Sequence, residues 1–177
     1  MNGYTVNSGK ILITTNFPIG HINEFIECAN DSELGFDLMN HGFNYPYTEE
    51  DAREFIEKNR EIEGEIFAMD FYIFYDNNFA GVIGLSDIDY ENSRSHIGYW
   101  IGKKYRNKGI GSKALELTVN FARDMLKLHS LHTKVLTENI PSIIILERNG
   151  FSITGIEKDS FLYNEKFYSA FIMSIIL

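Results

Sequence analysis

A chain of 177 residues, 44% hydrophobic and 14% aromatic, can bury one proper core and is too short for two comfortable domains. Its formal net charge of −9 argues against non-specific binding to nucleic acid, which depends on Lys and Arg neutralising phosphates. The single cysteine, Cys28, excludes an internal disulfide and a cysteine-built metal site, so no metal is expected. The first ten residues are polar and lack an apolar signal core, and no apolar run is long enough to span a bilayer. The expectation is a cytoplasmic protein away from the membrane.

Taken in chain order, residues 1–9 read as a flexible N-terminus, and Lys10–Thr15 as a first strand. His21–Asn30 places Ile22, Phe25, Ile26 and Ala29 at helical spacing. Thr48 followed by Glu49, Glu50 and Asp51 is a helix start, a hydroxyl cap with acids where the helix dipole favours them. That helix presents Ala52, Phe55, Ile56 and Ile62 on one side. Ile66–Tyr75 and Phe79–Asp89 read as strands around a turn at Asp76-Asn77-Asn78, and Ser95–Gly102 as a third. Between Asn107 and Leu128, apolar residues at 110, 114, 117, 121, 125 and 128 mark the clearest amphipathic helix. Leu131–Thr137 returns as a strand and Ile140–Arg148 as a helix closed by Asn149-Gly150. Phe151–Tyr163 and Lys166–Leu177 form a last hairpin through Asn164-Glu165. The pattern predicts an α/β domain, a mixed sheet with helices packed against it.

The segment from Gly98 to Ser112 carries the most chemistry. A strand ends, a short basic loop follows, and the loop opens the long helix. Free N–H groups at a helix start attract anions, and Gly109 and Gly111 would let a pyrophosphate approach the backbone. Lys103, Lys104, Arg106 and Lys108 reverse the sign of an otherwise acidic chain. Alone, the two glycines would serve a tight turn just as well. The spacing is neither a P-loop nor the dinucleotide G-x-G-x-x-G; it is Arg106-x-x-Gly109-x-Gly111.

With that motif the sequence resembles the GNAT superfamily of acyl-coenzyme A transferases, and within it the RimJ/RimL-like branch. The resemblance runs in register through Pro46-Tyr47-Thr48, Ile97-Gly98-Tyr99-Trp100, Asn139-x-x-Ser142 and Gly150-Phe151. It implies one GNAT domain over 10–177, with a mostly antiparallel sheet of about seven strands splayed between the fourth and fifth. It implies acetyl-coenzyme A as cosubstrate. The backbone of Arg106, Asn107, Lys108, Gly109, Ile110 and Gly111 would hold the pyrophosphate, and that of Tyr99, Trp100 and Ile101 would pair with the pantetheine arm. Asn139 and Ser142 would face the arm and its thiol; equally, both lie where a helix cap belongs.

Acetyl transfer to an amine needs a base, because an alkyl ammonium has a pKa near about 10. Relatives place a Glu before Ile-Gly-Tyr-Trp; this chain has His96, either a base titrating near neutrality or a half-buried sheet histidine. Other branches supply a Tyr as the thiol's acid where this chain has Leu146, leaving Ser142 nearest. Asp87 and Asp89, on one face at period two, either draw in a cationic amine or mark a polar strand end. Cys28 reads as a packing residue. The expected activity is transfer to a primary amine, a protein N-terminus by branch or a small polyamine or amino sugar as runner-up. A coenzyme-binding protein without catalysis and a peptide-binding subunit are the rival classes. A homodimer is a further expectation, and the acceptor pocket falls to residues 19–47 and the closing hairpin.

Overall fold

The computed structural model describes residues 3–31, 44–58, 61–62 and 65–177. In chain order its first elements are β1 (Thr5–Ser8), β2 (Ile11–Thr14), α1 (Ile22–Ala29) and α2 (Glu49–Glu57). Then come β3 (Glu61–Ile62), β4 (Glu65–Ile66), β5 (Met69–Tyr75), β6 (Asn78–Asp89) and β7 (Arg94–Ile101). The C-terminal half supplies α3 (Ile110–Asp124), β8 (Ser130–Leu136), α4 (Ile140–Arg148), β9 (Ser152–Tyr163) and β10 (Lys166–Ile176).

Local chemistry accounts for most boundaries. The β5–β6 turn puts Asp76 and Asn77 at φ 52° and 65°, and the β9–β10 turn puts Asn164 and Glu165 at 47° and 62°. Two consecutive left-handed residues make the tight hairpin turn whose twist matches its strands. Thr48 opens α2 with a full capping box: its hydroxyl accepts from the Asp51 N–H, and the Asp51 carboxylate accepts from the Thr48 N–H. Asn139 caps α4 in the same sense, accepting from the Ser142 N–H at 3.2 Å, and Gly150 at φ 88° ends that helix.

Eight strands form one sheet in the order β1-β2-β5-β6-β7-β8-β10-β9, and β3 with β4 forms a separate ribbon. Every pair in the large sheet is antiparallel except β7 with β8, the two strands joined through α3. Helices cover both faces. On one, Phe25 of α1 stacks on Phe79 with centroids 4.9 Å apart, and Trp100 meets it edge-on at 5.6 Å. On the other, Phe121 of α3 meets Phe71 at 5.0 Å. Rings in such arrangements contribute about 0.5–1.5 kcal/mol each beyond their burial.

Several expectations are corrected. The N-terminus expected to be flexible contains β1, paired from Thr5↔Thr14 to Ser8↔Ile11, and Tyr4 packs on Phe121 at 5.1 Å. This segment adds an edge strand to the large sheet, whose eight strands agree with the expectation of about seven. α2 stops at Glu57, so Ile62 belongs to β3 and not to the helix. The run expected as one strand from Ile66 divides between β4 and β5. α3 ends at Asp124, which leaves Met125 58% exposed; Leu115, Thr118 and Ala122 fill the buried stripe instead.

Candidate active site

β7 and β8 are partners only over Arg94–His96 and Ser130–His132, after which β7 continues along β6 and β8 along β10. The splay expected between the fourth and fifth predicted strands is this opening. The direction of each peptide beside it follows from the β6–β7 ladder. The Gly102 N–H donates to the Ala80 carbonyl at 2.9 Å, and the register pairs Gly81 with Ile101, Val82 with Trp100 and so on to Ser86 with His96. Hydrogen-bonded and non-hydrogen-bonded pairs alternate along an antiparallel ladder. Gly98 and Trp100 therefore direct their peptide groups to β6, whereas Ile97, Tyr99 and Ile101 direct theirs into the opening. The Ile101 carbonyl there accepts from Arg106 Nε at 3.0 Å, in agreement with that direction. Trp100, expected among the coenzyme contacts, is turned to β6 by its backbone and into the aromatic core by its side chain.

Beyond β7 the chain makes a 3-10 turn, Lys103–Tyr105, and then the loop that starts α3. Asn107 and Gly109 have φ 60° and 75°, and Gly109 is the N-cap residue without any side-chain cap. Gly109 thus sets no side chain of its own over the first N–H groups of α3. A Cβ built on Gly109 would meet nothing within 4 Å; one on Gly111 would point to Ile101, Ile145 and Tyr99 at 3.4, 3.6 and 3.7 Å, beside the splay. The loop is a cradle fit for a pyrophosphate. Arg106 supports it from behind: its N–H is taken by the Lys103 carbonyl at 3.3 Å and its guanidinium by the Asp31 carboxylate at 2.5 Å. Of the stretch 106–111 expected to hold a pyrophosphate, Arg106 thus has both its N–H and its guanidinium engaged within the protein. Lys104 is likewise matched, to Glu27 at 3.2 Å. The local positive charge is smaller than the sequence count implied, because α1 and the residues after it bring acids to it.

At the mouth of the splay, the Tyr99 and Ser142 hydroxyls lie 3.0 Å apart, joining β7 to the first turn of α4. Burial pushes the Tyr99 phenol up to about 12 against the opposing pull of Ser142, so it stays protonated at neutral pH. Leu146, at the position where other branches carry a tyrosine, is fully buried and offers no proton. His96 lies on the opposite face of β7, half-buried, with Nδ1 3.3 Å from Ser86 Oγ and its ring against that of His132.

The two acids do not share a face by simple alternation. The β6–β7 register shifts between Ser86 and Asp89, and Asp87 takes φ 51° and is exposed. Asp89 is occupied by the turn: its carboxylate accepts from the Asn92 N–H at 2.9 Å, Asn92 Nδ2 at 2.8 Å and Arg94 Nε at 3.1 Å. These bonds hold it below the usual carboxylate range. Cys28 is buried, its Sγ 3.7 Å from the Phe79 carbonyl, and burial raises its pKa to about 11. A protonated packing thiol is the result, not a nucleophile. Among the described residues no cluster of three or more His, Cys, Asp or Glu is arranged to hold a metal, and no helix is long and apolar enough to cross a membrane. Of the segment expected to shape the acceptor pocket, residues 32–43 lie outside the described residues.

Sequence reading named His96, Asn139, Ser142 and the glycine loop as candidates but missed the partners that fix them. Glu27, Asp31 and His132 are far away in sequence, and the Tyr99 hydroxyl had no assigned place. The one available signal was alternation: with Trp100 facing the core beside α1, Tyr99 had to face α3 and α4.

The model of the acetyltransferase (GNAT) domain family matches residues 12–152. The uncharacterized N-acetyltransferase p20 of Bacillus licheniformis is 30% identical over 117 residues, 64% of this chain and 66% of that protein, just under two thirds of its length. The ribosomal-protein-serine acetyltransferase of Escherichia coli K12 is 27% identical over 132 residues, 73% of this chain and 74% of the relative. Among solved structures, spermidine N-acetyltransferase from Vibrio cholerae in complex with CoA and spermine superposes with a TM-score of 0.79 at 18% identity. That match covers 96% of both chains and is a likeness of fold.

Proposed function

The chain belongs to the GNAT acetyltransferase family, whose members transfer acetyl groups from acetyl-coenzyme A to amines, and we propose that its acceptor is a protein N-terminus acetylated by direct transfer. The observation that carries the reading is the opening between β7 and β8. It has the Tyr99 peptide, directed away from β6 beyond the last β7–β8 pair, along one wall and the start of α3, with Gly109 as its N-cap, at its end.

Acetyl-coenzyme A supplies the acetyl group as a thioester. In this proposal the N–H groups of 107–111 hold its pyrophosphate, and Tyr99 and Ile101 offer peptide groups to the pantetheine arm as an adjoining strand would. Ser142, hydrogen-bonded to the protonated Tyr99, passes a proton toward the departing sulfur. His96 receives the proton of the amine, directly or through one water, and Ser86 helps fix its ring. Asp87, exposed beside this face, favours the approach of a cation. Cys28 takes no part, so no acyl-enzyme is needed. A cytoplasmic location goes with this reading.

The E. coli relative, named for a ribosomal-protein acceptor and aligned over 73% of the chain, supports a protein acceptor. The acidic net charge of −9 also suits a polyamine, the ligand class in the Vibrio structure. Thiol release from acetyl-coenzyme A, measured with N-terminal peptides and with spermidine, decides between them. The proposal expects peptide kcat/KM to exceed that of the polyamine by at least about tenfold, a difference of about 1.4 kcal/mol in transition-state binding. The reverse order would give the acceptor role to small amines.

A further inference from the structure

The short contact between β7 and β8 ends in a histidine on each strand. His96 and His132 are register partners, with ring centroids 5.7 Å apart and planes at 72°. Their separation and tilt are those of an edge-to-face ring pair. Both are half-buried where the strands part. Nothing in the proposed reaction so far uses His132.

Among the described residues, groups of both signs surround the pair. Ser86 of β6 lies at His96 Nδ1. Burial first, then Arg94 of β7 and Lys134 of β8, disfavour a proton on His132, while Asp87 of β6 favours it. β10 sets the uncharged Ser174 opposite it. Two imidazoles this close in a partly dry setting resist carrying two protons at once, because like charges repel far more strongly there than in bulk water. A base that must take a proton from an ammonium works only if its neighbour adds no opposing charge.

We propose that His132 is a positioning residue for the base: it holds the His96 ring across the β7–β8 gap and, by staying neutral, leaves His96 as the imidazole that takes the amine's proton. This rests on the reading of His96 as the base. In the step, the N–H bond of the ammonium breaks, its electron pair stays on nitrogen for attack on the acetyl carbonyl, and the proton goes to His96. His132 gives and takes no atom.

The test has two parts. In the wild-type protein, NMR titration of the two histidine Cε1–H signals should show each ring sensing both ionisations, with steps more than about one pH unit apart. Two independent single-step curves would overturn the inference. In the second part, His132→Lys places a fixed charge beside His96. It should move the acidic limb of kcat/KM downward by about one unit or more, whereas His132→Phe, which keeps a ring, should leave that limb in place. An unmoved limb in His132→Lys, or a shifted limb in His132→Phe, also overturns the inference. Full turnover by His96→Ala removes the base reading and this inference together; uncoupled titrations with an inactive His96→Ala remove the inference alone.

Discussion

Gly109 separates the cost of a side chain to the fold from its cost to the coenzyme. The residue has φ 75°, and a Cβ there would meet no atom within 4 Å. The fold therefore objects to Gly109→Ala only through its left-handed backbone, about 1–2 kcal/mol for an ordinary L-residue. In a chain this size that lowers Tm by about 2–4 °C per kcal/mol. Gly109→Asn should cost less, since Asn tolerates the left-handed region. Both variants, however, set a side chain where the first N–H groups of α3 emerge, and so at the proposed pyrophosphate position. Calorimetry should show coenzyme A affinity falling at least about tenfold in each, about 1.4 kcal/mol, with thermal stability nearly retained in Gly109→Asn. A folded Gly109→Asn protein that binds coenzyme A as tightly as the parent would refute the assignment of this loop.

Three other outcomes follow from the same geometry. His96→Ala should lower turnover about a hundredfold and His96→Glu should restore part of it, read as thiol released; normal turnover in the alanine variant would leave desolvation or water to prepare the amine. Tyr99→Phe and Ser142→Ala should not add in a double-mutant cycle on kcat, because they break one hydroxyl pair; additive losses would show that the two act separately. Hydrogen bonds from the Thr48 hydroxyl, Asn44 and the Thr48 N–H lower the pKa of Asp51. A carboxyl depressed on folding stabilises above its unfolded value near about 4, and that stability is lost as pH falls through the folded value. The stability gap between wild type and Asp51→Asn, from denaturant curves, should thus be widest near neutrality and close with acid; a gap constant from pH 6 to 3 would exclude the carboxylate as its source.

Features written in neighbouring residues were legible in the sequence. The Thr48 cap, the hairpin turns and the span of α4 from Ile140 to Arg148 each depend on groups a few positions apart. The bonds that engage Asp89 are local too, from Asn92 three residues on and Arg94 five residues on, though Asp89 was expected only to draw in an amine or to mark a strand end. What stayed hidden depends on long-range pairing. Arg106 looked like a phosphate ligand until Asp31, 75 residues away, occupied its guanidinium. Tyr99 and Ser142 are 43 residues apart and meet only because α4 docks over β7. β1 was missed because a polar four-residue strand carries little periodic signal, its burial alternating only between exposed and half-buried. The bulge that exposes Asp87 left no mark that strict alternation could detect.

The central claim is that the coenzyme lies along β7 in the opening toward β8, and amide hydrogen exchange by NMR tests it residue by residue. In the free protein the Gly98 and Trp100 N–H groups should be protected by the β6 ladder, and Tyr99 and Ile101 should exchange faster. Saturating coenzyme A should slow Tyr99 and the first amides of α3, Ile110 to Ser112, with little change at Gly98 and Trp100. Protection that rises elsewhere while Tyr99 and the start of α3 exchange as before would contradict the account.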